Sequence, residues 1–134
     1  MRPTIRCHGL LALVALIGVV SLAAEAHAGA AVEISREEAL ALQESGAGLL
    51  FVDVRTPEEY DSGHVPGAVN IPRNQLASRL AELESARDRL VLYCERGPRA
   101  AAAAATLLQA GFTGVRQLKG DMSGWRASGM PIEK

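Results

Sequence analysis

The segment Cys94-Glu95-Arg96-Gly97-Pro98-Arg99 places a nucleophile, two cations and two backbone-shaping residues within one short stretch. An apolar run from Arg89 to Cys94 precedes it, and an alanine-rich run follows. A strand ending at Cys94 and a helix starting near Arg99 leave the amides of the loop and first helical turn without intrahelical partners. Together with the helix dipole, such amides form a concave site for an anion. A thiolate at Cys94 is the first anion the site favours, and the charge of an incoming substrate is the second. The chemistry this predicts is covalent, with Cys94 as the nucleophile.

Each neighbour adds a constraint. Gly97 frees the backbone to turn its amides inward. Pro98 stiffens the loop but brings no amide proton. Glu95 opposes strongly anionic donors. Arg96 either faces an anionic substrate or remains a solvated charge, and Arg99 is suited to hold loop carbonyls or a carboxylate. The spacing is C-x4-R, one residue shorter than the C-x5-R loop with which cysteine phosphatases and arsenate reductases cradle phosphate. Ala100 stands where their arginine would fall. A shorter loop closes on a smaller radius and suits one bound sulfur better than a tetrahedral phosphate.

Outside the loop, Asp53 lies within the apolar run Leu49 to Val54. A charge there needs a partner, and Arg55 or Arg99 can supply it. This pair is expected to support the site rather than to react. His64, in the turn Gly63-His64-Val65-Pro66-Gly67, reads as a hydrogen-bonding brace, and Tyr60 and Trp125 read as packing residues. No second Cys or His cluster follows residue 28, so neither a metal nor a cofactor is called for.

The elements that must position these residues alternate in type. Ser35 with Glu38 forms a capping box that opens an amphipathic helix ending at Gly46. Leu49 to Val54 reads as a buried parallel strand. Thr56 and Pro57 open a short helix that Gly63 closes. A short strand around Ala68 to Ile71 follows, then a helix over Asn74 to Glu84 with Leu76, Leu80 and Leu83 on one face. After the strand Arg89 to Cys94 comes a helix to Ala110, a short strand over Gly114 to Leu118, and a last helix capped by Asp121. This alternation with short connections predicts an α/β domain with a mainly parallel sheet flanked by helices.

The chain has 134 residues, 49% hydrophobic and 4% aromatic, with a net charge of -1. Nothing in that balance suits nucleic acid. Arg2, Arg6, the apolar block Leu10 to Leu22 and the small-x-small triplet Ala26-His27-Ala28 read as a cleaved signal peptide over residues 1–28, with an uncleaved N-terminal anchor as the alternative. The mature domain is then 29–134, periplasmic or secreted. Of the two cysteines, Cys7 leaves with the signal, so Cys94 is alone and either bridges to another chain or reacts.

Three stretches in this order and spacing give the chain a family resemblance: Asp53 to Pro72 ("DVRTPEEYDSGHVPGAVNIP"), Leu90 to Ala104 ("LVLYCERGPRAAAAA") and Leu118 to Trp125 ("LKGDMSGW"). From about Ile34 to Trp125 the chain resembles the rhodanese sulfurtransferases, in particular their single-domain exported members. The resemblance implies a five-stranded, doubly wound, rhodanese-like fold. It also implies that Cys94 takes the outer sulfur of thiosulfate or a similar small anion, releases sulfite, and holds a persulfide that passes to cyanide or a thiol. Asp53 and Arg55 match the family's D-x-R pair, and Arg99 its loop-closing arginine. A thioredoxin-like protein is one suitable acceptor, and a monomer is expected. A persulfide carrier working with a partner, a vestigial interaction domain and a small phosphatase are the rival readings.

Overall fold

The structure is a computed structural model and describes residues 30–134. The segment read as a signal peptide lies outside the described residues. The chain runs through β1 (Val32–Ile34), α1 (Arg36–Glu44), β2 (Leu50–Asp53), α2 (Pro57–Ser62) and β3 (Val69–Asn70). Two 3-10 segments follow, Arg73–Ser78 and Leu80–Ala86. Then come β4 (Leu90–Tyr93), α3 (Pro98–Gln109), β5 (Val115–Leu118) and α4 (Asp121–Ala127). The five strands form one sheet in the order β1-β5-β4-β2-β3, and every pairing is parallel. This is the architecture expected from the alternating pattern.

Local chemistry explains the element boundaries. The Ser35 hydroxyl accepts the Glu38 amide at 3.1 Å and starts α1. At α2 the capping box is complete, because Thr56 Oγ1 accepts from Glu59 N at 3.2 Å and Glu59 Oε2 accepts from Thr56 N at 2.9 Å. Pro57 occupies the first turn of that helix, where its missing N–H costs nothing. Successive residues of β2 and β4 face opposite sides of the sheet. Val52, Val54, Leu90, Leu92 and Cys94 pack with α3 and the 3-10 segments, in a layer that includes Leu76, Leu83, Ala103 and Leu107. Phe51, Val91 and Tyr93 pack with α1 and α4, in a layer that includes Ala39, Met122 and Trp125.

One expected element differs in kind, and one strand was not read from the residues. The helix expected over Asn74 to Glu84 is a pair of 3-10 segments broken at Arg79, whose φ and ψ are -121° and 17°. Short-range bonds account for it. Gln75 N donates to Pro72 O at 2.8 Å and Arg79 N to Leu76 O at 3.0 Å, while the Ser78 hydroxyl donates to Gln75 O at 2.9 Å. These i to i+3 partners tighten the turn and still bury Leu76 and Leu83. The fifth strand is β1, which the residue pattern did not reveal. Three residues are too few to display a period, and Val32 on this edge strand remains exposed.

The segments entering the parallel strands β4 and β5 approach each other closely. Gly114 O accepts from Leu90 N at 2.9 Å, and a Cβ at Gly114 would fall 1.7 Å from Asp88 O. Backbone cannot move aside as a side chain can. Gly114→Ala is therefore expected to lower stability by about 2–3 kcal/mol, read as a lower urea midpoint with an unchanged slope; a wild-type midpoint contradicts the packing.

Candidate active site

The sheet order puts β4 in the centre, with β2 on one side and β5 on the other. Cys94 follows β4 directly, so the segments leaving all three strands meet around it. Cys94 is 1% exposed, at the base of the loop. Its Sγ accepts the Gly97 amide at 3.0 Å. Gly97 takes φ of 120° to make that turn, a region in which side chains are strained. Its carbonyl is held by Gln117 Nε2 at 3.2 Å and Ala101 N at 2.9 Å. Among the described residues the amides of Glu95, Arg96, Arg99 and Ala100 have no hydrogen-bond partner, and Pro98 at the start of α3 has no N–H.

The first turn of α4 grips the beginning of the loop. Met122 N donates to Cys94 O at 3.0 Å and Ser123 N to Glu95 O at 3.1 Å. Cys94 N in turn donates to Asp121 Oδ1 at 3.0 Å. Asp121 does not cap α4 as expected: Gly120, which has no side chain to offer, holds the cap position, and the Asp121 carboxylate accepts from the Cys94 amide instead. Burial pushes the Asp121 carboxyl up from its ordinary range, against the opposing bonds to Cys94 and Gln117.

The β2 side is built on a buried ion pair. Arg55 Nε lies 3.0 and 3.1 Å from the two Asp53 oxygens, and Nη2 lies 2.7 Å from Oδ2. Both side chains are buried. The remaining guanidinium donors reach Gly63 O at 2.8 Å and Glu95 Oε2 at 3.3 Å. Asn70 Nδ2 ties the backbone down by donating to Asp53 O and Arg55 O, each at 3.0 Å. Burial works against the Arg55 charge, but the bonds to Asp53 outweigh it and hold the guanidinium firmly protonated. Of the two partners open to Asp53 in the sequence, the structure pairs it with Arg55.

Glu95 does not stand as a bare charge in the loop. Arg126 of α4 grips both of its oxygens and Arg55 reaches Oε2, which offsets the repulsion expected toward an anionic donor. Arg96 is exposed and makes no contact with a carboxylate among the described residues. Arg99 holds a carboxylate, that of Glu59, at 2.7 and 2.9 Å. A cavity of about 580 Å³ borders this pair, lined by Arg55, Thr56, Arg73, Asn74, Arg99 and Thr106. His64 braces its turn, with Nδ1 2.9 Å from Tyr60 O and its ring stacked on Tyr60. Sequence reasoning missed Glu59, Asp121 and Arg126. Glu59 sits within the cap of α2, Asp121 reads as a helix cap, and Arg126 carries no local signal at all.

A parallel five-stranded α/β sheet with a cysteine loop at its central strand end defines the class of protein. The family model for the rhodanese-like domain matches residues 35–128, and the chain belongs to that sulfurtransferase family. It is 39% identical over 98 residues to thiosulfate sulfurtransferase 16, chloroplastic, of Arabidopsis thaliana, covering 65% of this chain and 82% of that one. It is 44% identical over 103 residues to an HTH-type transcriptional regulator of Mycobacterium tuberculosis, covering 75% of this chain but only 44% of the regulator. A solved rhodanese-related protein of Thermoplasma volcanium superposes with a TM-score of 0.64 at 30% identity, over 76% of this chain and 97% of that one.

The Arg99–Glu59 pair carries a pH signature. Bonding to Arg99 lowers the Glu59 carboxyl from 4.5 to about 2. A depressed carboxyl stabilises the fold above its unfolded value and loses that contribution as the pH falls through the folded one. The pair is about one-third exposed, so solvent screening limits it to about 0.5–1 kcal/mol. Glu59→Gln should thus be less stable than wild type by that amount at neutral pH. The difference should vanish between pH 4.5 and about 2; urea titrations showing a constant difference across that window would reject the assignment.

Proposed function

We propose that this protein moves sulfane sulfur from thiosulfate, or a similar small anionic donor, to a thiol or cyanide through a persulfide on Cys94. The observation that carries the reading is the Gly97 amide 3.0 Å from Cys94 Sγ, at the start of a helix whose first-turn amides are free. In the first half-reaction the Cys94 thiolate attacks the outer sulfur of thiosulfate. A new S–S bond forms, the donor's S–S bond breaks, and sulfite leaves with the electron pair. No proton donor is needed for that leaving group. In the second half the acceptor attacks the outer sulfur of the persulfide, the Cys94 thiolate leaves, and thiocyanate or an acceptor persulfide is released.

Gly97 N–H and the loop amides act as fixed dipoles on whichever sulfur carries the negative charge. Burial of Cys94 to 1% restricts the donor to one with a reachable terminal sulfur on a small anion. It also favours a second reading, in which the domain is a persulfide carrier loaded or emptied by a partner such as a thioredoxin-like protein. The Arg2–Arg6 n-region, the Leu10–Leu22 block and the Ala26-His27-Ala28 triplet support export to the periplasm or outside, with the sulfurtransferase domain spanning 29–134.

Mass spectrometry after thiosulfate treatment tests the chemistry. One added sulfur atom is expected on wild type and none on Cys94→Ser, with thiocyanate produced when cyanide follows. Wild type that gains no sulfur and makes no thiocyanate refutes the donor assignment. Stoichiometric persulfide without repeated turnover would select the carrier reading.

A further inference from the structure

Asp121 lies outside the Cys94–Arg99 loop, in the segment between β5 and α4, and sequence reasoning assigned it only a capping role. Its conformation is costly. With φ of 51° it is the only non-glycine residue at positive φ among the described residues, directly after Gly120 at 81°. A glycine would adopt that backbone without the steric cost of a Cβ, and asparagine tolerates it best among the others. The side chain is also buried, 4% exposed, where a carboxylate is unfavourable unless it is bonded. Two local penalties at one position beside a reacting atom point from strain to function.

The carboxylate reaches both ends of the turn that carries the sulfur. Oδ1 accepts the Cys94 amide at 3.0 Å, and Oδ2 lies 3.3 Å from where a Cβ would project from Gly97. Gly97 is the residue whose amide contacts Sγ. The groups around it are Cys94 and Gly97 of the loop, Gln117 from β5, and Glu33 from β1, whose charge adds to the cost of ionising Asp121. Met122 and Ser123 supply two further bonds from the same segment to the Cys94 and Glu95 carbonyls.

We propose that Asp121 is a positioning residue for sulfur transfer: by holding the Cys94 amide and bordering Gly97, its side chain fixes the turn in which Gly97 N–H meets Sγ. The backbone at position 121 needs only a residue that accepts positive φ, whereas the loop needs an acceptor oxygen. Gly and Asn separate the two requirements. Glycine satisfies the backbone alone, and asparagine satisfies the backbone and retains an oxygen for the Cys94 amide.

The proposal rests on the sulfurtransferase reading, and the full chain can test the two separately. For Asp121→Gly, a melting temperature at or above wild type is expected. Its Cys94 amide should exchange hydrogen at least about tenfold faster, and its persulfide formation from thiosulfate should be at least about tenfold slower. Asp121→Asn should stay within about threefold of wild type on both rates. The proposal is overturned if Asp121→Gly keeps wild-type exchange and persulfide rates, if it fails to fold, or if Asp121→Asn falls as far as Asp121→Gly. Wild type that takes no sulfur from thiosulfate sinks the donor assignment instead. Hydrogen exchange and the rate of Cys94 alkylation by iodoacetamide then still decide the positioning role, because neither needs a donor.

Discussion

A charged guanidinium buried against a buried carboxylate is the constraint around which this domain is arranged. Arg55 and Asp53 are two residues apart at the end of β2, on the same face of the sheet, and neither reaches bulk water. Such a pair adds little net stability over an apolar equivalent, but losing one partner leaves an uncompensated buried charge at a cost of about 3–5 kcal/mol. Its value lies in direction. A guanidinium offers a planar fork of donors in fixed geometry. Once Asp53 takes one edge, the remaining donors are aimed at the Gly63 carbonyl, where α2 ends, and at Glu95, next to Cys94. One buried group thereby orients a strand end, a helix terminus and the Cys94 loop.

The opposite side of the loop is fixed by a different device. There the α4 segment uses backbone amides for the Cys94 and Glu95 carbonyls and the Asp121 carboxylate for the Cys94 amide. Arg126, one turn further along, completes the enclosure by sharing Glu95 with Arg55. The cysteine thus sits between two independently anchored walls, each reached from a neighbouring strand of a fully parallel sheet. Ligand sites in open α/β sheets fall beyond the carboxyl ends of the strands for this reason, since only there do loops from adjacent strands converge.

Much of this was legible in the residues. Continuous apolar runs marked β2 and β4, cap chemistry marked α1 and α2, and a cysteine between a strand and an alanine helix marked the loop. These signals are local, and local energetics decide them. What the sequence concealed is the pairing of side chains far apart in the chain. Glu59 has the same form whether it caps a helix or also receives Arg99, and Asp121 looks like an ordinary helix cap until its backbone turns left-handed. The segment from Arg73 to Ala86 had a helical leucine spacing, but i to i+3 bonds from Ser78 and Arg79 settled it as 3-10. β1 is visible only through its partner, β5.

The central claim is that the Gly97 main-chain dipole responds to the charge on the Cys94 sulfur. Paired 1H–15N spectra of the reduced protein and of the same sample after stoichiometric thiosulfate examine it most directly. The account predicts a large displacement of the Gly97 resonance, smaller ones at Glu95 and Arg96, and strands β2 and β4 unmoved. A Gly97 resonance that stays in place while Cys94 gains its sulfur would contradict it.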